Sequence, residues 1–155
     1  MALSGKVESE VEIQAHASKF YNVFRKQLEH LPNISTHIHG AKVHEGDWET
    51  VGSVKHWEFT IADGKKISIK AKIWSIDDDN KVITYSLFDG EVSENYKSLK
   101  AIIQVIDKEH GGGIAKWTYE YEKLKEDIIA GLSPESFLAF SVKVTKEIDA
   151  HLVKE

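Results

Sequence analysis

An α+β fold, in which a strongly bent antiparallel sheet grips a long C-terminal helix, follows from three features of the sequence. Apolar residues recur at every second position in one segment after another. The connectors between these segments are short. The final stretch changes to a helical period. Parallel neighbours need a crossover of a dozen residues or more, which "ADGK", "DDDNK", "DGEVSEN" and "KEHGGG" do not provide. The Gly, Asp and Asn residues in these connectors are the ones tight turns require.

The elements read in order as follows. "KVESEVEI" sets Val7, Ser9, Val11 and Ile13 against Lys6, Glu8, Glu10 and Glu12, a half-buried strand with one wet face. From Ala15 to Leu31, Phe20, Val23, Phe24, Leu28 and Leu31 fall at helical spacing, as one helix or two, and Pro32 followed by Asn33 is expected to close the segment. Six further strands are predicted over His37–His44, Ser53–Ile61, Lys66–Ile76, Lys81–Phe88, Tyr96–Ile106 and Ile114–Tyr121. In "LSPES", Ser133 can cap a helix that starts at Pro134. That helix carries Phe137, Ser141, Val144, Ile148 and Leu152 on one stripe. No linker or repeat divides the chain, so residues 1–155 are read as a single domain. The sheet need not close tightly on the helix, and a cavity between them is a natural ligand site.

Composition narrows the function classes. A chain of 155 residues can bury about two-thirds of its unfolded surface without help. It contains no cysteine, which excludes a disulfide framework, a thiolate metal site and a thiol nucleophile. The formal net charge of −5 disfavours phosphate backbones, whose binding rests on Lys and Arg contacts, so no nucleic-acid partner is expected. The first residues lack the apolar core of a secretion signal, Ala2 excludes N-myristoylation, and no run is long enough to span a bilayer. A cytoplasmic protein is the expectation.

Two glycines in "HEGDWETVG" invite a phosphate-loop reading, but Gly52 is followed by Ser53 and Val54 rather than by the Lys and Ser or Thr that hold phosphates and magnesium. A dinucleotide loop needs three glycines opening a helix, whereas "SVKHWEFTI" alternates as a strand. Of the eight histidines, His37 and His39 share a strand face with no carboxylate set beside them, and His44 has the opposite parity, so neither metal nor cofactor is expected. No G-x-S-x-G elbow occurs.

Alternation then assigns the faces. Lys55, Trp57, Phe59 and Ile61 share the inner face of their strand, as do Ile83, Tyr85 and Leu87, and Leu99, Ala101, Ile103 and Val105 in theirs. Lys55 ends an apolar row, where its ammonium either meets a ligand oxygen or a neighbouring carboxylate, or snorkels out at the rim. Ala101 is a small residue in a bulky row and leaves volume empty. The last strand presents Trp117, Tyr119 and Tyr121 inward and Lys116, Thr118 and Glu120 outward unless a bulge shifts the register. Buried tyrosines need hydroxyl partners.

The stretches "HEGDWETVGSVKHW", "YKSLKAIIQV", "KWTYEYEK" and "FSVKVTKEIDAHL" resemble the plant major latex protein family, within the superfamily of the birch-pollen allergen and the pathogenesis-related class-ten proteins. The resemblance runs from Val7 to Leu152. It implies the START-like helix-grip fold: a seven-stranded curved antiparallel sheet, two short N-terminal helices and a long C-terminal helix around a hydrophobic cavity, with the glycine-rich stretch as a loop at the cavity's edge. It also implies a carrier of a hydrophobic or amphipathic metabolite such as a sterol, terpenoid or fatty acid, linked to defence or stress. Trp57, Phe59, Tyr85, Leu87, Ala101, Ile103, Phe137 and Ser141 are the expected walls. Lys55 matches the inward lysine of the pollen allergens and is the expected polar anchor.

The alternative is a cyclase or isomerase in the same cavity, with Lys55, Lys116 or Tyr119 moving protons. Norcoclaurine synthase, a catalytic relative, uses a last-strand lysine that Lys116 matches, together with a loop tyrosine in whose place Val92 stands, which argues against that reaction. Ribonuclease activity, credited to the superfamily, meets an acidic chain with no visible stacking platform.

Overall fold

The computed structural model describes residues 3–61, 64–129 and 131–154. Its strands are β1 (Ser4–Ile13), β2 (Ile38–Glu45), β3 (Val54–Thr60), β4 (Lys66–Asp77), β5 (Val82–Phe88), β6 (Tyr96–Asp107) and β7 (Gly113–Lys123). All pairings are antiparallel, in the order β1-β7-β6-β5-β4-β3-β2. Ala62 and Asp63 of the expected "ADGK" turn lie outside the described residues.

Helix α1 (Ala17–Lys26) buries Ala17, Phe20, Tyr21, Val23 and Phe24 on one face. A 3₁₀ turn at Leu28–His30 leads into α2 (Leu31–Ile34). Pro32 was expected to stop the helical segment, but it stands in the first turn of α2, where the missing N–H costs nothing because first-turn donors have no partner inside the helix. The connector "DGEVSEN", read as a turn, contains a further helix, α3 (Gly90–Asn95), which buries Val92 and Asn95. The chain enters it through positive φ at Asp89 and Gly90. A Cβ at Gly90 would meet the Ser68 carbonyl oxygen at 2.7 Å, so only glycine allows so close an approach.

The C-terminal helix α4 (Pro134–Lys154) buries Phe137, Ser141, Val144, Thr145, Ile148 and Leu152, and Ser133 Oγ caps it by accepting the Ser136 N–H at 3.1 Å. Polar contacts fix its seat. Trp117 Nε1 donates to Thr145 Oγ1 at 2.7 Å, and the Tyr119 and Ser141 hydroxyls are 2.6 Å apart. Two residues along β7 thus meet two residues one turn apart on α4, which sets the helix register. The Asp149 carboxylate accepts the N–H groups of Gln14 and Ala15 just ahead of α1. Glu147 gathers Ser35 Oγ, the Thr36 N–H at 2.9 Å, Thr36 Oγ1 at 2.6 Å and the His37 ring at 3.0 Å. Burial opposes its ionisation, yet these bonds together hold the Glu147 carboxyl down at about 2.

Candidate functional site

The concave face of the sheet is built from cross-strand rows. Ile73, Tyr85, Ala101 and Tyr119 pair in succession across β4, β5, β6 and β7, and Lys55, Ala71 and Leu87 do so across β3, β4 and β5. Each row contains an alanine among bulky residues, and a missing side chain in a close-packed interior leaves a void. The result is a cavity of about 110 Å³ between the sheet and α4. One water needs roughly 10–15 Å³ of such space, so the cavity has room for an organic molecule.

Among the expected wall residues, Trp57, Phe59, Tyr85, Leu87, Ala101, Phe137 and Ser141 line this cavity. Lining residues that were not among the expected walls include Ile38, Ala71 and Phe140, together with Trp117 from the inward face of β7 and Phe24 and Leu31 from the helical stretch. Ala71 carries the same signal as Ala101, a small residue in the inward row Ile67, Ile69, Ala71, Ile73. Phe140 lies on the helix flank, where it stacks on Phe59 at 4.6 Å. Of the lining residues described, Trp57, Leu87 and Phe140 alone are half-exposed, and they mark where the cavity meets solvent.

Three expected site residues lie elsewhere. Ile103 is fully buried but outside the cavity lining; its register partners Ile83 and Trp117 seal it into plain core. Lys116 points to the convex face, 3.7 Å from Glu8, because β7 alternates without a bulge from Gly113 to Glu122. Lys55 faces inward at 1% exposure, yet its ammonium neither snorkels nor meets the cavity. It donates to the carbonyl oxygens of Asp47 and Trp48 at 3.2 and 3.1 Å. Burial pulls this lysine down to about 8, against the pull of the nearby Asp47 carboxylate.

The 46–53 loop is folded upon itself. The Asp47 carboxylate accepts the N–H groups of Thr50 and Glu49 at 2.7 and 2.9 Å, Thr50 Oγ1 at 2.8 Å and Ser53 Oγ at 3.3 Å. These bonds, those from Thr50 foremost, hold it near 2. The donors a phosphate would need are turned onto the protein's own anion. Gly46 has positive φ, and a Cβ there would run into Ser53 Oγ. Trp48 packs edge-on against Trp57 at 6.5 Å, so the loop braces the cavity wall.

The lining's polar atoms are neutral. Tyr119 is bonded to Ser141, and burial pushes its phenol up to about 12. Tyr85 is also raised by burial, and its oxygen has no hydrogen-bond partner among the described residues. The histidines are engaged singly, His37 by Glu147 and His39 by Thr60. Among the described residues no three His, Asp or Glu side chains converge to hold a metal, and no helix is long and apolar enough to cross a membrane.

Residues 2–155 match the pathogenesis-related protein Bet v 1 family. The chain is 40% identical to MLP-like protein 43 of Arabidopsis thaliana over 99% of its own length and 96% of that protein's. It belongs to the Bet v 1 family, on its major latex protein branch. The same identity over 99% of this chain covers 45% of the longer MLP-like protein 28 of that plant. Among solved structures, this Bet v 1-family chain superposes on ginseng major latex-like protein 151 from Panax ginseng with a TM-score of 0.88 at 33% identity, covering 98% and 99% of the two chains. Norcoclaurine synthase from Thalictrum flavum shares the fold alone, at 16% identity with a TM-score of 0.80 over 98% of this chain and 88% of that one.

Proposed function

We propose that this Bet v 1-family protein binds a hydrophobic or amphipathic small molecule in the cavity between sheet and helix and acts as its carrier or sensor. The observation that carries the reading is the cavity itself: about 110 Å³ held open by Ala71 and Ala101, walled by aliphatic and aromatic side chains, with a half-exposed mouth at Trp57, Leu87 and Phe140. Such concave apolar sites with few polar groups are the usual form of a small-molecule pocket. Sterols, terpenoids and fatty acids are the ligand classes to screen. A cytosolic role in defence or stress belongs to the same proposal and rests on resemblance.

The cyclase or isomerase reading needs a group at the cavity that exchanges protons near neutral pH. Lys116 is on the opposite face, Lys55 is engaged by the 46–53 loop, and Tyr119 is pushed up to about 12. This supports binding over turnover. The test is fluorescence titration of lipid-stripped protein with the uncharged probe N-phenyl-1-naphthylamine, with Ala101→Phe as the control. Phenylalanine between Tyr85 and Tyr119 fills the void, so saturable binding is expected to weaken by at least about tenfold, or ~1.4 kcal/mol, in a protein that still unfolds cooperatively. Equal affinity in a folded Ala101→Phe variant would refute the wall assignment.

A further inference from the structure

We propose that the cavity selects uncharged ligands and rejects the carboxylate or sulfonate of the same skeleton, an inference that rests on the carrier reading above. Among the described residues, none of the lining side chains is charged. An anion that enters gives up its hydration, and only a cation or a set of free donors at the wall can replace it. Lys55 is the one lysine on the inward face of β3, in register with the lining residue Ala71. Its ammonium is committed to the carbonyl oxygens of Asp47 and Trp48 and has the Asp47 carboxylate nearby.

Three other sources of positive potential are occupied as well. The N-terminus of α4 is capped by Ser133 and carries Glu135 in its first turn, which opposes the helix dipole. Lys70, between the lining residues Ile69 and Ala71 but on the other face of β4, is paired with Asp89 at 3.1 Å, and Lys65 with Glu91 at 3.1 Å. Of the hydroxyls, Tyr119 and Ser141 hold each other, and the Tyr85 oxygen is enclosed. The wall therefore offers apolar surface and neutral dipoles, which suit a hydrocarbon, alcohol or ketone. Among the classes to be screened, sterols and terpenoids fit and ionised fatty acids do not.

The experiment compares N-phenyl-1-naphthylamine with 1-anilinonaphthalene-8-sulfonate, the same skeleton with one sulfonate added, in wild type and in Leu87→Lys, which puts an ammonium at the mouth. Wild type is expected to bind the sulfonate at least about tenfold more weakly than the amine, and Leu87→Lys to narrow that ratio by about tenfold or more. Affinities within about threefold of each other in wild type overturn charge selection and leave the carrier reading standing. A folded Leu87→Lys protein with an unchanged ratio assigns the discrimination to bulk and overturns it as well. No saturable binding of either probe overturns both readings.

Discussion

The two cavity tyrosines have the same chemistry and opposite bonding, so removing one oxygen from each should move stability in opposite directions. Tyr85 is 8% exposed, and its hydroxyl is buried without a partner among the described residues. An unpaired buried hydroxyl costs about 1–3 kcal/mol. Tyr85→Phe keeps the ring in its row between Ile73 and Ala101 and deletes only that oxygen. The expected gain is ~1 kcal/mol, or a rise in Tm of about 2–4 °C for a chain of this size. Tyr119→Phe removes one end of the 2.6 Å contact with Ser141 and leaves a buried serine hydroxyl behind, a loss of ~1–2 kcal/mol. Adding Ser141→Ala should recover part of that loss, because both partners are then gone and no orphan remains. Equilibrium denaturation of ligand-stripped protein by urea reads these three variants against wild type, provided the m-value stays constant. A Tyr85→Phe protein less stable than wild type by more than ~0.5 kcal/mol would show that the phenol oxygen is satisfied, and the reasoning would fail.

Glu147 and Lys55 make predictions in pH. The folded state holds Glu147 at about 2 against an ordinary 4.5, so its contribution is fully present above pH 4.5 and is lost as pH falls toward 2. Glu147→Gln should cost about 1–2 kcal/mol at neutral pH and flatten the acid limb of a stability-versus-pH curve; an acid limb parallel to wild type would contradict the latch at Ser35, Thr36 and His37. Lys55 titrates at about 8 when folded and 10.5 when unfolded. Between those values the unfolded chain holds a proton that the folded chain has released, so stability rises with pH there. Relative to Lys55→Met, wild type should gain at most about 1 kcal/mol per pH unit from pH 8 upward, measured below the onset of tyrosine ionisation near 10. A pH-independent difference between the two proteins would mean that the ammonium is solvated.

Period-two alternation made the sheet legible because each strand has one buried face, and a one-residue slip would turn every side chain to the other side. That rule turned Tyr85, Ala101 and Tyr119 inward, each on its own strand, and strand pairing then joins them in one concave row; it placed Lys116 outside, only resemblance argued for Lys116 as a site residue, and β7 runs without the bulge that would have turned it inward. Inward direction is not the same as cavity lining. Ile103 and Ala101 share a face of β6, but the neighbours of Ile103 fill the space around it, whereas an alanine's neighbours cannot fill the space it leaves. Ala71 could have been found by that argument, because the inward row of β4 is otherwise isoleucine. Lys55 is the instructive failure. Its burial follows from alternation, but its partner depends on how residues 46–53 fold back, and that fold depends on Asp47 collecting donors from Thr50, Glu49 and Ser53 rather than on any periodic signal. The helix at Gly90–Asn95 was hidden for a related reason: six residues with a single apolar side chain, Val92, carry no helical period, and only packing against β4 and β6 makes them a helix.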